Sequence, residues 1–282
     1  MFQRVVVAVD FSQASFVAIR RGRAVIEPGG EVHLVHVVSK DGKETSGDKK
    51  LTREQLMKVA KTELPHDGLL VRIHVVPGDP ASSILEVARR VDADLVLIGS
   101  HARGALGRLL VGSVAEAVAR RSEVPVLIVR DEAAGEGQVE RVLVAVDDSE
   151  PSRQAARAAV RLARVLAAKV EAVRVLQPGP VRDLAGKKAN FALDDVPEKI
   201  AELLGLGITS RLKKILGSKA RIRYVAGEPA GAIAALAGVH DIVACGTHGR
   251  TGLDRLAFGS VATELLRAVP CPTLIVRPAA KT

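Results

Sequence analysis

Aromatic residues are nearly missing: five Phe, one Tyr and no Trp in 282 positions. With 48% of the chain apolar, its cores must be built from Ala, Val, Leu and Ile. That palette suits parallel sheets buried on both faces by Ala-rich helices. Cysteine is as scarce. Cys245 and Cys271 are the only two, so no disulfide framework is implied. The apolar runs are strand-sized, such as Val5 to Val9, far short of the roughly 20 residues that span a bilayer. No basic leader or small-residue cleavage site precedes the first run. These absences lead to the expectation of a cytoplasmic protein with no membrane partner.

Charge is plentiful. Lys and Arg number 41 against 32 Asp and Glu, a net charge of +9. Such a surface attracts anions. The basic clusters, such as Lys49-Lys50, Lys187-Lys188 and Lys213-Lys214, are short and scattered. No zinc-finger spacing, aromatic-laced basic stretch or helix-turn-helix signal accompanies them, and nucleic acid is not an expected partner.

The chain is also written twice. "RVVVAVDFSQAS" at Arg4 to Ser15 returns as "RVLVAVDDSEPS" at Arg141 to Ser152, an offset of 137. "GSHARGALGRLLVGS" at Gly99 to Ser113 returns as "GTHGRTGLDRLAFGS" at Gly246 to Ser260, an offset of 147 that holds through to Arg130. Repeats this long are whole domains. The polar, Gly-bearing "DEAAGEGQ" (131–138) reads as the linker, giving expected domains at 1–133 and 140–282.

Each copy alternates strands and helices. In the first, strands are expected near 4–9, 31–38, 69–76, 94–98 and 125–130, with helices near 13–26, 51–63, 81–91 and 112–121. The second has strands near 141–146, 169–176, 220–226, 241–245 and 272–277. Segments 39–50 and 178–193 read as long loops, and Gly205 and Gly207 should kink or split a helix near 195–216. The expected fold class is α/β: two tandem, doubly wound, five-stranded parallel-sheet domains, Rossmann-like, in strand order 3-2-1-4-5. Such sheets bind ligands beyond the strand C-termini where the winding reverses, here between strands one and four. The distinctive residues of each copy end those two strands: Asp10 or Asp147 after the first, the glycine loop after the fourth.

Bare backbone amides at a Gly-rich turn and a helix N-terminus make an anion cradle. Here the residues carry a resemblance. The second copy resembles the universal stress protein family, whose ATP-binding pattern G-x2-G-x9-G-[ST] is met by Gly246, Gly249, Gly259 and Ser260. "AVDDS" at Ala145 to Ser149 and "CPTLIV" are similar to the family's first and closing strands. The resemblance implies an ATP-binding regulatory protein of the stress response, with Mg²⁺ accompanying the triphosphate. In the second domain it implies Asp147 on the ribose hydroxyls or adenine edge, with Ala145, Val146, Val175 and Cys245 along the base. Gly246, His248, Gly249 and the amides of Gly259, Ser260 and Val261 would hold ribose and phosphates. The plainer alternatives are a helix-capping Asp147, a solvent-facing His248, an apolar filler at Cys245, and solvated Arg250 and Arg255.

The first domain offers the matching set Ala8, Val9, Asp10, Val37, Gly99, His101, Ala102, Gly112, Ser113 and Val114. It departs from the pattern at Ala102 and Ala105, where a methyl group obstructs a turn of positive φ or a close phosphate. A second, weaker site is expected there, helped by His101 and Arg103.

Other readings lose ground. Neither loop has the Lys of a P-loop NTPase, G-x4-G-K-[ST]. A phospho-receiver reading of Asp147-Asp148 lacks its acid after strand three and its Lys after strand five, where Val225-Ala226 and Arg277 stand. No catalytic triad or metal-ligand spacing is present. A slow ATPase of the same fold and a nucleotide-free scaffold remain the alternatives to a binding protein. Finally, "PVLIVR" at Pro125 to Arg130 and "PTLIVR" at Pro272 to Arg277 form apolar sheet edges. The two domains are expected to pair through these fifth strands, and the family resemblance also implies a homodimer.

Overall fold

The computed structural model describes residues 2–38, 46–64, 68–100, 111–130, 138–177, 179, 181, 196–238, 241–247 and 258–277. The chain divides into two compact units, Met1–Gly137 and Gln138–Thr282. In the first, chain order is β1 Phe2–Ala8, α1 Gln13–Val25, β2 Ile26–Val38, α2 Ser46–Glu63, β3 Leu70–Pro77, α3 Pro80–Arg90, β4 Leu95–Ser100, α4 Ser113–Arg121 and β5 Val126–Arg130. All pairings within it are parallel, in the order β3-β2-β1-β4-β5. The second unit runs β6 Arg141–Ala145, α5 Glu150–Val165, β7 Lys169–Leu176, α6 Glu198–Leu203, α7 Ser210–Leu216, β8 Arg221–Ala226, α8 Pro229–Ala237, β9 Ile242–Gly246, α9 Ser260–Ala268 and β10 Thr273–Val276. Its parallel order, β8-β7-β6-β9-β10, is the same topology. The doubly wound 3-2-1-4-5 arrangement is therefore present in each unit.

The aromatic-poor composition works as anticipated. The central strands are fully buried at Val5, Val6 and Val7, at Leu95, Val96 and Leu97, and at their counterparts Val142 to Val144 and Ile242 to Ala244. α5 turns Ala155, Ala156, Ala159 and Ala163 inward, so a helix without bulk lies close on the sheet. α1 packs beside α2 and α3 beside α4, covering the two faces as right-handed crossovers require. Each unit also ties the N-termini of its two central strands together with one carboxylate. Asp94 Oδ2 accepts from Gln3 N at 2.9 Å; Asp241 Oδ2 accepts from Glu140 N and Arg141 N, both at 2.8 Å.

Two expectations shift and a third is met. β2 starts at Ile26, ahead of 31, because the strand continues through Pro28-Gly29-Gly30 as an irregularity rather than turning there. α2 starts at Ser46, inside the expected 39–50 loop. The 195–216 helix is split as expected: α6 ends at Leu203, Gly205 takes φ 66°, and Thr209 caps α7 by accepting from Leu212 N. Tyr224, the one tyrosine, fixes the break from β8, its hydroxyl accepting from Ile208 N at 3.3 Å. Of the expected 178–193 loop, all but residues 179 and 181 lie outside the described residues.

The glycine that ends each fourth strand answers a packing demand. A Cβ on Gly99 would lie 2.6 Å from the carbonyl carbon of Ala14 and 2.7 Å from Ser15 N. On Gly246 it would lie 2.7 Å from the carbonyl carbon of Pro151. The first turn of α1 or α5 rests directly on that Cα. Gly112, by contrast, has nothing within 4 Å of a built Cβ and an ordinary φ of −59°. Gly99→Ala is expected to destabilise the protein by about 1–3 kcal/mol through overpacking, and Gly112→Ala by clearly less. Chemical denaturation of the two variants checks this; equal losses would refute the packing account.

Burial also governs a close histidine pair, the one such pair among the described residues. His33 Nδ1 on β2 and His74 Nε2 on β3 are 3.0 Å apart, and Glu31 Oε2 lies 3.2 Å from His33 Nε2. Burial lowers the His33 pKa against the pull of Glu31, with Arg72 and Arg4 adding to the depression. Burial, then His33, Arg90 and Arg53, push His74 down to about 4. The folded chain thus refuses protons that the unfolded chain accepts below about pH 6.5. Stability from this pair is complete above that pH and is lost as the pH falls toward 4. His74→Asn should flatten the fall in melting temperature between pH 7 and 5; a variant that falls as steeply as the parent would count against the assignment.

Candidate functional site

The turn after the first strand has the same geometry in both units. Asp10 Oδ1 accepts from Ser12 N at 3.0 Å and Ser12 Oγ at 2.5 Å; Asp147 Oδ1 accepts from Ser149 N and Oγ at the same distances. Ser12 and Ser149 are themselves the caps of α1 and α5, accepting from Ser15 N and Ser152 N. The aspartate is therefore not the helix cap. It grips the cap, which sets the direction of its carboxylate. Asp10 is exposed and Asp147 half-buried. The residue between Asp and Ser is left-handed in both, Phe11 at φ 62° and Asp148 at φ 64°.

β1 and β4 are neighbours, as are β6 and β9, so each aspartate shares a sheet edge with the foot of a glycine loop. The two feet of each loop are tied together. In the first unit Gly112 N donates to Ser100 Oγ at 3.1 Å; in the second Gly259 N donates to the Thr247 carbonyl at 2.6 Å. Ser100 and Thr247 are buried. Gly112 and Gly259 then start α4 and α9 as caps with no side-chain hydrogen bond, so the leading amides of these helices depend on other partners. Ser113 and Ser260 are exposed there, and Val114 and Val261 half-buried.

Other expected site residues fall in different places. Val9 and Val146 keep their amides in the sheet, donating to Val35 and Val173 carbonyls, and their side chains are core. Ala8 is buried beside Val9, while Ala145, Val37 and Val175 are half-buried at the strand ends. Gly99 and Gly246 accommodate the first helix, as described above. Cys245 is buried, and burial pushes its thiol up to about 12, so it is an inert filler. His101, Ala102, Arg103, Ala105, His248, Gly249, Arg250 and Arg255 lie outside the described residues.

One difference between the units went unnoticed in the sequence. The Phe11 ring packs against His36 at a tilt of 47°, ring centroids 4.9 Å apart, and His36 Nδ1 lies 2.7 Å from the Val9 carbonyl. At the matching places the second unit has Asp148 and Arg174, an ion pair at 3.1 Å with side chains 15% and 6% exposed. Removing one partner of so enclosed a pair strands the other charge, at a cost of about 3–5 kcal/mol. The signal lay in "DFS" against "DDS", and in a charged Arg174 between the apolar Val173 and Val175 of β7. Among the described residues no group of three His, Cys, Asp or Glu side chains is arranged to hold a metal ion, and no helix is long and apolar enough to cross a membrane.

Residues 1–130 and again 138–277 match the universal stress protein family. A universal stress protein of Mycobacterium tuberculosis, Rv2005c, is 29% identical over 224 residues, which is 78% of this chain and 74% of that protein. Another, MJ0531 of Methanocaldococcus jannaschii, is 30% identical over 148 residues, 51% of this chain and 85% of its own length. Among solved structures, a universal stress protein from Archaeoglobus fulgidus shares the fold, with a TM-score of 0.69, 18% identity and 98% of each chain covered. With the repeated strand-one turn, the tied loop and two successive matches, the chain belongs to the universal stress protein family and carries two of its domains in tandem.

Proposed function

We propose that this protein is an ATP-binding regulator of a stress response in the cytoplasm, with the second unit as its principal site. The observation that carries this reading is the meeting, at the ends of adjacent strands β6 and β9, of an oriented carboxylate and a helix start without a side-chain cap. Asp147 would accept from ribose hydroxyls, as acids do in related dinucleotide folds. The Ser260 and Val261 amides and the Ser260 hydroxyl would take phosphate oxygens, favoured by the dipole of α9. The Gly259 amide already has Thr247, so it serves the loop rather than the ligand. His248 and Gly249 complete the set from the sequence pattern, with Ala145 and Val175 against the base. Mg²⁺ would neutralise the triphosphate, and hydrolysis is expected to be negligible or very slow. The first unit keeps the Asp10 turn and the Gly112-Ser113 start but has Ala102 in the loop, and we assign it the weaker site.

Calorimetric titration with Mg-ATP tests this. Asp147→Ala and Gly249→Val, each confirmed folded, are expected to lose at least tenfold in affinity, about 1.4 kcal/mol. Asp10→Ala should cost less total binding than Asp147→Ala. Undiminished affinity in the second-unit variants would refute the site, and equal losses from the two aspartates would refute the asymmetry.

We further propose that β5 and β10, each at the end of its own unit's strand order and wholly apolar from Leu127 to Val129 and from Leu274 to Val276, pair with one another. The short linker would keep their effective concentration high. Amide hydrogen exchange at those residues should be slow in the whole protein and faster in each unit expressed alone as a monomer. Protection that survives separation would overturn the pairing.

A further inference from the structure

We infer that Asp148 is the positioning residue of the second unit's site, and that through it the α6–α7 crossover is coupled to nucleotide binding; this rests on the proposal that Asp147 binds ATP. Asp148 directly follows Asp147 and occupies the left-handed region, which is uncommon for non-glycine residues and in which Asp is among those enriched. Three residues bond to it there. Arg174 Nη1 on β7 lies 3.1 Å from Asp148 Oδ2. Thr209 donates its Oγ1 hydrogen to Oδ1 at 2.6 Å and its amide to the same carboxylate at 3.3 Å. Arg153 donates from its guanidinium to the Asp148 carbonyl. Glu150 in turn holds Arg153, accepting from Nε at 3.0 Å and Nη2 at 2.9 Å.

Thr209 is the cap of α7, and the residue before it, Ile208, is bonded to the Tyr224 hydroxyl. One carboxylate thus fastens the turn that aims Asp147 to the start of a helix in another crossover, 61 positions along the chain. The first unit has the same left-handed turn without this fastening. Phe11 replaces Asp148, His36 replaces Arg174, Gln13 replaces Glu150 and Phe16 replaces Arg153. The turn itself therefore does not need the charges. What they add is the connection to α7.

Coupling between sites is reciprocal. If the Asp148–Thr209 link helps to hold Asp147 for the ligand, ligand at Asp147 must in return slow opening at the start of α7. Asp148→Gly tests this, since glycine adopts φ near +64° without strain and keeps the turn while deleting the link, at the cost of leaving Arg174 without its partner. In the full-length protein, Asp148→Gly should weaken Mg-ATP binding about fivefold or more. Hydrogen exchange at Thr209 and Leu212 should slow on adding Mg-ATP to the parent protein and stay unchanged in the variant. Asp148→Asn, which keeps an acceptor for Thr209, should recover most of both responses and serves if the glycine variant does not fold.

Loss of affinity in Asp147→Ala with full affinity in Asp148→Gly would overturn the inference and leave the nucleotide site standing. Weaker binding in Asp148→Gly with α7 exchange still responding to Mg-ATP would reduce Asp148 to a merely structural residue and overturn the coupling. No Mg-ATP binding by the parent protein would overturn the site and the inference together.

Discussion

Each unit turns on one close approach, the first turn of the first helix lying directly against the last glycine of the fourth strand. A methyl group at Gly246 would fall 2.7 Å from the Pro151 backbone, and one at Gly99 would be as crowded by Ala14. Because the helix start is pressed onto that strand, the Ser that caps it and the Asp that grips the Ser are delivered to the point where the glycine loop departs. The mouth of the crevice is thus assembled by packing between α5 and β9, before any ligand is considered. The same contact explains why a glycine is needed at the strand end even though no phosphate is required to justify it.

Around this shared contact the two copies use different chemistry for the same backbone. Both hold a left-handed residue after the aspartate, and both tie the feet of the loop with one hydrogen bond. The first unit sets a phenyl ring at a tilt against an imidazole beside its turn, the second an enclosed ion pair. The foot bond runs to a side-chain hydroxyl in one copy and a main-chain carbonyl in the other. A geometry reached by two sets of side chains belongs to the fold. The side chains that differ are where the copies have room to act differently. The enclosed ion pair is costly to bury, which makes its presence beside Asp147 informative.

Stability is distributed less evenly than the apolar sheets suggest. The central strands are dry and interchangeable in character, and the carboxylate staples at Asp94 and Asp241 join them at the end opposite the crevice. Towards the outer strand of the first unit, the His33–His74 pair places two neutral imidazoles where burial denies them protons. That edge responds to acid, whereas the buried central stretches Val5 to Val7 and Leu95 to Leu97 carry no titratable side chain.

Periodicity and repetition made much of this legible. A chain that alternates strand-length apolar runs with Ala-rich helices, twice, and has no bulk for any other core, leads to two doubly wound sheets. The turn at Asp147 and the loop at Gly246 then follow from topology, because the switch point is a property of strand order. The bulge through Pro28 to Gly30 was not legible, since turn-forming residues look alike whether a strand ends or merely kinks. The meaning of Gly246 was not legible either: a local pattern cannot say whether a bare Cα faces a ligand or a helix. Asp148 and Arg174 stand 26 positions apart, and Asp148 and Thr209 stand 61 apart. The sequence by itself determined the order of the strands and the place of the crevice, which depend on short-range pattern. Only the tertiary structure decided which side chains meet across that crevice's rim, because those meetings depend on the crossovers that bring distant segments together.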